Sequence, residues 1–188
     1  MKNKPIMYPD MNAKSVAVGQ RYQNNRGGWY TILSVGGCMD IAIKFDAGDI
    51  HFAQIEHLKR GSVKSAYDKS VYGVGYMGEG MFPCTVNGKR TRLYLTWSRM
   101  LQRCYCEAVQ KNQPAYVGCE VCERWHNFQN FAADAHYLPG FEEWYEAGEG
   151  SRWALDKDGI VEGNKVYGPD ACQFLSQTDN TKIIWGKL

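Results

Sequence analysis

The sequence predicts an α+β chain, with a small β-rich unit ahead of a mixed region of helices and short strands. Three observations carry this. Short runs of β-formers separated by Gly and Asp turns crowd into residues 16–60. A helical period with one apolar stripe occupies 93–107. The C-terminal part, from Trp153 onward, reads as strand, loop, strand and helix.

Composition fits that class. A length of 188 residues suits one domain or two small ones. With 44% hydrophobic and 22% charged residues, the chain is not expected to be disordered. Its apolar runs fall far short of the roughly 20 residues that a membrane helix needs. The polar segment Met1–Asp10 lacks the apolar core of a signal peptide. The expectation is a cytoplasmic chain with no membrane partner and with its 7 cysteines reduced. An odd count also argues against a complete set of internal disulfides.

In the first unit, residues 1–60, the runs Trp29–Val35, Ile41–Phe45 and Ile50–Ile55 read as strands. An SH3-like β-barrel fits their length and spacing. Residues 61–92 read as a glycine-rich connector. It contains Gly73-Val74-Gly75-Tyr76-Met77-Gly78, formally a G-x-G-x-x-G match. No helical pattern follows, Pro83 intervenes and no βαβ unit surrounds it, so it reads as a loop and not a dinucleotide site.

Residues 93–188 form the α+β part. Leu93, Trp97, Met100, Leu101 and Cys104 line one face of a helix over 93–107. Arg92, Arg99 and Arg103 fall within about 40° of one another on another face. They are candidate phosphate contacts, joined by Lys165. The stretch 57–111 holds 10 basic and 3 acidic residues, and 112–150 holds 1 basic and 7 acidic. This +7 beside −6 implies a dipolar surface or one part covering another, and on charge alone a solvated face competes with a phosphate footprint. A second helix is expected from Trp125 to about His136, with Trp125, Phe128, Phe131, Ala132 and Ala135 in the core, ending at Leu138-Pro139-Gly140.

The strand Trp153–Asp158 places Asp156 and Asp158 on one face. Gly159–Gly163 is a loop, Asn164–Tyr167 the returning strand, and Ser176 the cap of a short helix that carries Asn180. This order lets two oxygen ligands converge on one hard cation, although acidic residues on a surface hairpin are often merely solvated. Cys119-Glu120-Val121-Cys122 is a C-x-x-C pair that Cys104 and Cys106, or His126 and His136, could complete as a zinc site. Cys104 and Cys106 lie about 200° apart on a helix, however, and there is no second C-x-x-C. Structural zinc therefore ranks behind ordinary part-buried cysteines.

Residues 94–182 resemble phage-encoded HNH-type endonucleases. The matching pieces are Trp97-Ser98-Arg99-Met100, Arg103-Cys104-Tyr105, Pro114-Ala115-Tyr116, Val121-Cys122-Glu123-Arg124-Trp125 with Asn127-Phe128, Leu155-Asp156-Lys157-Asp158, Asn164 to Cys172, and Asn180. The resemblance implies a ββα-metal (His-Me finger) core, an N-terminal accessory domain, a bacteriophage origin and action in the cytoplasm of the infected host. It implies a DNA endonuclease using Mg²⁺ or Mn²⁺, with Asp156 and Asn180 as metal ligands and Asp156, Lys157 and Asp158 as the catalytic strand. The sequence departs from the pattern at Lys157, where active relatives carry a histidine that activates water. A neutral imidazole suits that task near pH 7. Lysine, with an ordinary pKa of about 10.4, needs a large downward shift. Three explanations stand: a shifted Lys157, a histidine supplied by His126 or His136, or a site kept for binding. The alternative function is thus an inactive nuclease scaffold that binds nucleic acid or inhibits a host protein.

Overall fold

Tyr30, Ile32, Ile41, Ile43 and Phe45 point to one side of a sheet and are almost wholly removed from water. They define the first of two units, which divide between Asp68 and Lys69 in a computed structural model describing residues 6–12, 14–36, 40–179 and 181. The strands are β1 (Arg21–Gln23), β2 (Trp29–Val35), β3 (Ile41–Phe45) and β4 (Ile50–Ala53), followed by helix α1 (Ile55–Lys59). They form an antiparallel meander in the order β1-β2-β3-β4. The register sets Tyr30 opposite Phe45 and Ile32 opposite Ile43, with a bulge between Ile32 and Ser34. The bulge restores the inward phase after one extra residue. Met11, Val16 and Leu58 close the same core.

The expected barrel is not closed: no ladder joins β1 to β4 among the described residues. After four residues β4 gives way to α1. The gap is bridged instead by single backbone bonds, from Asn25 N to Gly61 O (2.8 Å) and from Tyr8 N to Lys59 O (2.8 Å). The unit also runs past residue 60. Asp68 accepts from Asn24 Nδ2 and Ser65 N, and buried Asp49 accepts from Ser65 Oγ and Ala66 N.

The second unit begins with a strap, residues 69–84, which falls within the expected glycine-rich connector and forms part of the fold. Val71, Val74, Met77 and Phe82 pack on its core. Next come the hairpin β5 (Thr85–Val86) and β6 (Lys89–Arg90), then α2 (Arg92–Tyr105), α3 (Glu107–Asn112), β7 (Glu120–Val121), α4 (Phe128–Ala135) and α5 (Phe141–Glu146). The last strands are β8 (Trp153–Asp156), β9 (Val166–Tyr167) and β10 (Gln173–Ser176). Thr91 caps α2, and Trp97, Met100, Leu101 and Cys104 bury its apolar stripe as the periodicity requires.

The strap's glycines permit close approach and do not cradle phosphate. A Cβ at Gly75 would strike Leu101 and come within 2.9 Å of the Trp97 ring. The strap pairs with the chain ahead of α4, Tyr76 N donating to His126 O (2.9 Å) and Phe128 N to Tyr76 O (3.0 Å). That pairing needs Asn127 extended, so the helix expected from Trp125 becomes a 3₁₀ turn (Glu123–His126) followed by α4, which Asn127 caps.

The C-terminal strands pair differently from the expected hairpin. β9 lies parallel to β7, with Val121 opposite Tyr167. The antiparallel partner of β8 is β10, with Gln173 opposite Asp156 and Ser176 opposite Trp153. Phe174 fixes this choice: it is 1% exposed and stacks on Trp144 of α5 at 4.4 Å between centroids. Among the described residues, no helix is long and apolar enough to cross a membrane.

Two predictions follow from this packing. Gly75→Ala should lower stability by about 1–3 kcal/mol through overpacking, whereas Gly19→Ala, with open space at its Cβ, should show only the roughly 1–2 kcal/mol of left-handed strain; urea titration of both separates the effects. The second concerns Asp134, which accepts from Arg124 Nε (2.7 Å) and Nη2 (2.9 Å) and from Trp125 Nε1 (2.8 Å). Arg124 above all holds its carboxyl below the ordinary value of 3.8. A depressed folded pKa adds stability that is complete above the unfolded value and is lost as pH falls through the folded one. Asp134→Asn should therefore be less stable than the parent at neutral pH and show a shallower loss on acidification below pH 3.8, read from urea midpoints across pH.

Candidate functional site

β8 delivers two carboxyl groups of unlike environment to one point. Asp156, the last residue of the strand, is 8% exposed, while the Asp158 side chain, in the bend beyond it, is half exposed. Asp156 Oδ2 accepts from Gly159 N at 2.7 Å. A Cβ at Gly159 would sit 2.6 Å from that oxygen and would strike Gln173 Nε2, so a larger residue there would displace both side chains. Burial, first of all, pushes the Asp156 carboxyl up, and its hydrogen bond with Asp158 adds to this against the opposing bonds from Gly159 and Gln173. Burial also pushes Asp158 up, but hydrogen bonds from Asp156 and Lys157 outweigh it and lower the group overall. Two carboxyls in contact do not ionise independently, and their mutual contact drives their pKa values apart, Asp156 upward and Asp158 downward.

Lys157 departs from its expected role. Its side chain is 8% exposed, its Nζ lies 3.2 Å from Asp158 Oδ2, and the ammonium stands 6.0 Å from the Tyr167 ring centroid. It is thus an ion-pair partner of Asp158. Neither candidate histidine pairs with the carboxyls. His126 Nε2 hydrogen-bonds Val121 O at 3.1 Å, and His136 Nδ1 hydrogen-bonds Ala132 O at 2.6 Å. Asn180 lies outside the described residues. Ser176, just before it, caps residues 177–179 as expected: its Oγ accepts from Asp179 N (3.1 Å) and donates to Asp179 Oδ2 (2.6 Å).

α2 packs beside β8, but its three arginines have three different tasks. Arg92 donates to Trp144 O and to Ser151 Oγ (2.7 Å) and lies 4.1 Å over the Trp144 ring. Arg99 makes no hydrogen bond or ion pair with the described residues and lines a cleft with Lys89, Arg90 and Trp153. Arg103 lies over the rings of Tyr116 (5.3 Å) and Tyr167 (5.5 Å), beside Lys157. Lys165 is exposed and donates to Ala115 O at 3.1 Å. Sequence reasoning missed Lys89 and Arg90. The signal was the Lys-Arg pair just before the α2 cap, in the basic stretch. It also missed Gln173, which only strand register brings to Asp156.

The pair expected as a possible zinc site, Cys119 and Cys122, gains no third ligand among the described residues. Among the described residues, no group of three His, Cys, Asp or Glu side chains could hold a metal. Cys119 is buried and donates to Ala115 O, and burial pushes the thiols of Cys104 and Cys172 up to about 12. Comparison with protein-family models, curated proteins and solved structures finds no match to this chain.

The division among the arginines is testable. Arg92→Ala removes bonds to α5 and the 148–151 segment and a stacked ring, and should cost about 1–3 kcal/mol in urea unfolding. Arg99→Ala should change stability by less than about 0.5 kcal/mol.

Proposed function

We propose that this chain is a nucleic-acid-binding protein that hydrolyses phosphodiester bonds with a divalent cation held at Asp156. The observation that carries this is the Asp156–Asp158 carboxyl pair at the end of β8, with the cations of α2 set alongside that strand. The antiparallel β8–β10 pair, leading into a turn capped by Ser176, supports the ββα reading of 93–188. The donor set fits a hard cation: two neighbouring carboxyls offer oxygens to Mg²⁺ or Mn²⁺. Such a cation supplies positive charge to the scissile phosphate and the leaving oxygen. In this reading Arg99 and Arg103 bind the backbone, Gly159 and Gln173 orient Asp156, and Lys157 holds Asp158 in place. DNA is the proposed substrate.

A second reading keeps the scaffold and drops the reaction, leaving a protein that binds nucleic acid or a host protein. The burial of Lys157 and its pairing with Asp158, with no histidine beside Asp156, favour it. One experiment separates the two. The purified chain is incubated with duplex, nicked and branched DNA in Mg²⁺, Mn²⁺ or EDTA. The first reading expects metal-dependent cleavage that Asp156→Asn abolishes at unchanged thermal stability. The amide is the right replacement because Asp156 is buried and hydrogen-bonded, so truncation to Ala would also disturb the strand end. If no substrate is cut and Lys157→His creates no cutting, the nuclease reading fails. Salt-dependent binding, with a slope of about 0.9 per phosphate contact, then sustains the second.

A further inference from the structure

The β5–β6 hairpin, the start of α2, the end of α5 and residues 148–153 enclose two adjoining clefts. The first, about 520 Å³, is lined by Lys89, Arg90, Arg99 and Trp153. The second, about 430 Å³, is lined by Phe82, Val86, Leu93 and Tyr145. Arg92, Trp144 and Glu149 line both and form the partition. The two sides differ in chemistry: one gathers cations, the other carbon.

Four cationic side chains meet a single carboxylate, Glu149, in the first cleft, and none of the four is in a salt bridge. Arg92 is fixed by the Trp144 carbonyl and Ser151, and Arg90 by Thr85 Oγ1 (3.2 Å) and the Tyr94 ring (4.6 Å). The side chains of Lys89 and Arg99 make no hydrogen bond or ion pair with the described residues. Like charges held this close repel, and an entering polyanion relieves the repulsion. The volume exceeds what one inorganic phosphate fills and lies within the range of small-molecule sites. Next door, the Tyr145 ring is 64% exposed over apolar walls, a surface on which a planar ring can stack. Glu149, on the partition, can accept from an exocyclic amine.

We infer that the paired clefts bind a nucleotide, with its 5′-phosphate on Lys89 and Arg99 and its base in the apolar cleft beside Tyr145. Both a free nucleotide and the 5′ end of a strand carry this chemistry. The inference does not require cleavage at Asp156 and goes beyond it, assigning a ligand to the opposite end of β8.

Calorimetric titration of the full chain in EDTA tests it without any metal. The probes are AMP, CMP, adenosine, inorganic phosphate, a phosphotyrosine peptide, and a short oligothymidine with and without a 5′-phosphate. Nucleoside 5′-phosphate, free or at the strand end, should bind at least about tenfold more tightly than adenosine or phosphate alone. Tighter binding of the mononucleotide identifies a free ligand, and tighter binding of the phosphorylated strand identifies a strand end. Arg99→Ala and Lys89→Ala should each weaken binding about tenfold by removing a charge-assisted hydrogen bond. Neither side chain bonds to the described residues, so both variants should keep the parent melting temperature. Tyr145→Ala should weaken nucleotide and leave phosphate unchanged. Nucleotide affinity equal to that of phosphate, indifference to Arg99→Ala and Lys89→Ala, or a preference for the phosphotyrosine peptide would overturn the inference.

Discussion

Trp97 is the constraint on which the second unit depends. Its indole is fully buried, and its Nε1 donates to Trp125 O at 2.7 Å. A buried indole N–H without a partner is costly, so this bond fixes α2 against the turn before α4. The Phe128 ring lies 5.5 Å away on one side, and Gly75 of the strap meets the ring on another. Only a glycine lets the backbone come so near, and the strap then pairs through Tyr76 with the chain on both sides of Asn127. One indole thus joins three segments that lie far apart in sequence. None of them has a local reason to adopt its observed place without the others.

The candidate site inherits this rigidity through α2. The helix is held at one end by Arg92, which reaches α5, and at the other by Tyr105, whose hydroxyl accepts from Val121 N of β7 at 3.0 Å. β7 pairs with β9, and Tyr167 of β9 lies beneath both Arg103 and Lys157. The cationic face of α2 and the carboxyl end of β8 are therefore set by one chain of contacts, and the acidic pair does not depend on a free loop. Gly159 tightens the arrangement further, since its backbone N–H, not a mobile side chain, orients Asp156.

Local periodicity made the elements with a single buried face legible. β2 and β3 follow the alternation of Tyr30, Ile32, Ile41 and Ile43, and α2 follows the spacing of Trp97, Met100, Leu101 and Cys104. Strand alternation set Asp156 and Asp158 on one face of a strand over 153–158, whereas β8 ends at Asp156 and the bend in which Gly159 N donates to Asp156 brings Asp158 to it. Properties set by distant partners were not. The strap has no period because its glycines answer to Trp97, Leu101 and Asn127. α5 is six residues long, and its burial comes from stacking on Phe174, thirty residues away in sequence. Arg92 and Arg99 share a helix face, yet one is consumed by carbonyls of α5 and the other faces a cleft. Helical spacing carries nothing to distinguish them. Nor does a strand pattern reveal that Lys157 turns to Asp158 and Tyr167.

The uneven charge distribution takes on a different meaning in the fold. The −6 stretch 112–150 implied a dipolar surface or one part covering another, but several of its members have separate local tasks. Asp134 binds Arg124 and Trp125, Glu142 and Glu143 sit in the first turn of α5, and Glu149 stands on the partition between two clefts beside Arg92. Exposed charges farther apart than about 8–10 Å screen one another in physiological salt. A net count over a sequence window therefore says little about the field at one site. What matters is which charges lack a counter-ion nearby. In the cleft beside β6 and α2, Lys89 and Arg99 make no salt bridge with the described residues, while beyond the other end of β8 Asp158 is paired with Lys157. An anionic ligand that enters this cleft therefore meets cations that it need not draw out of an existing ion pair.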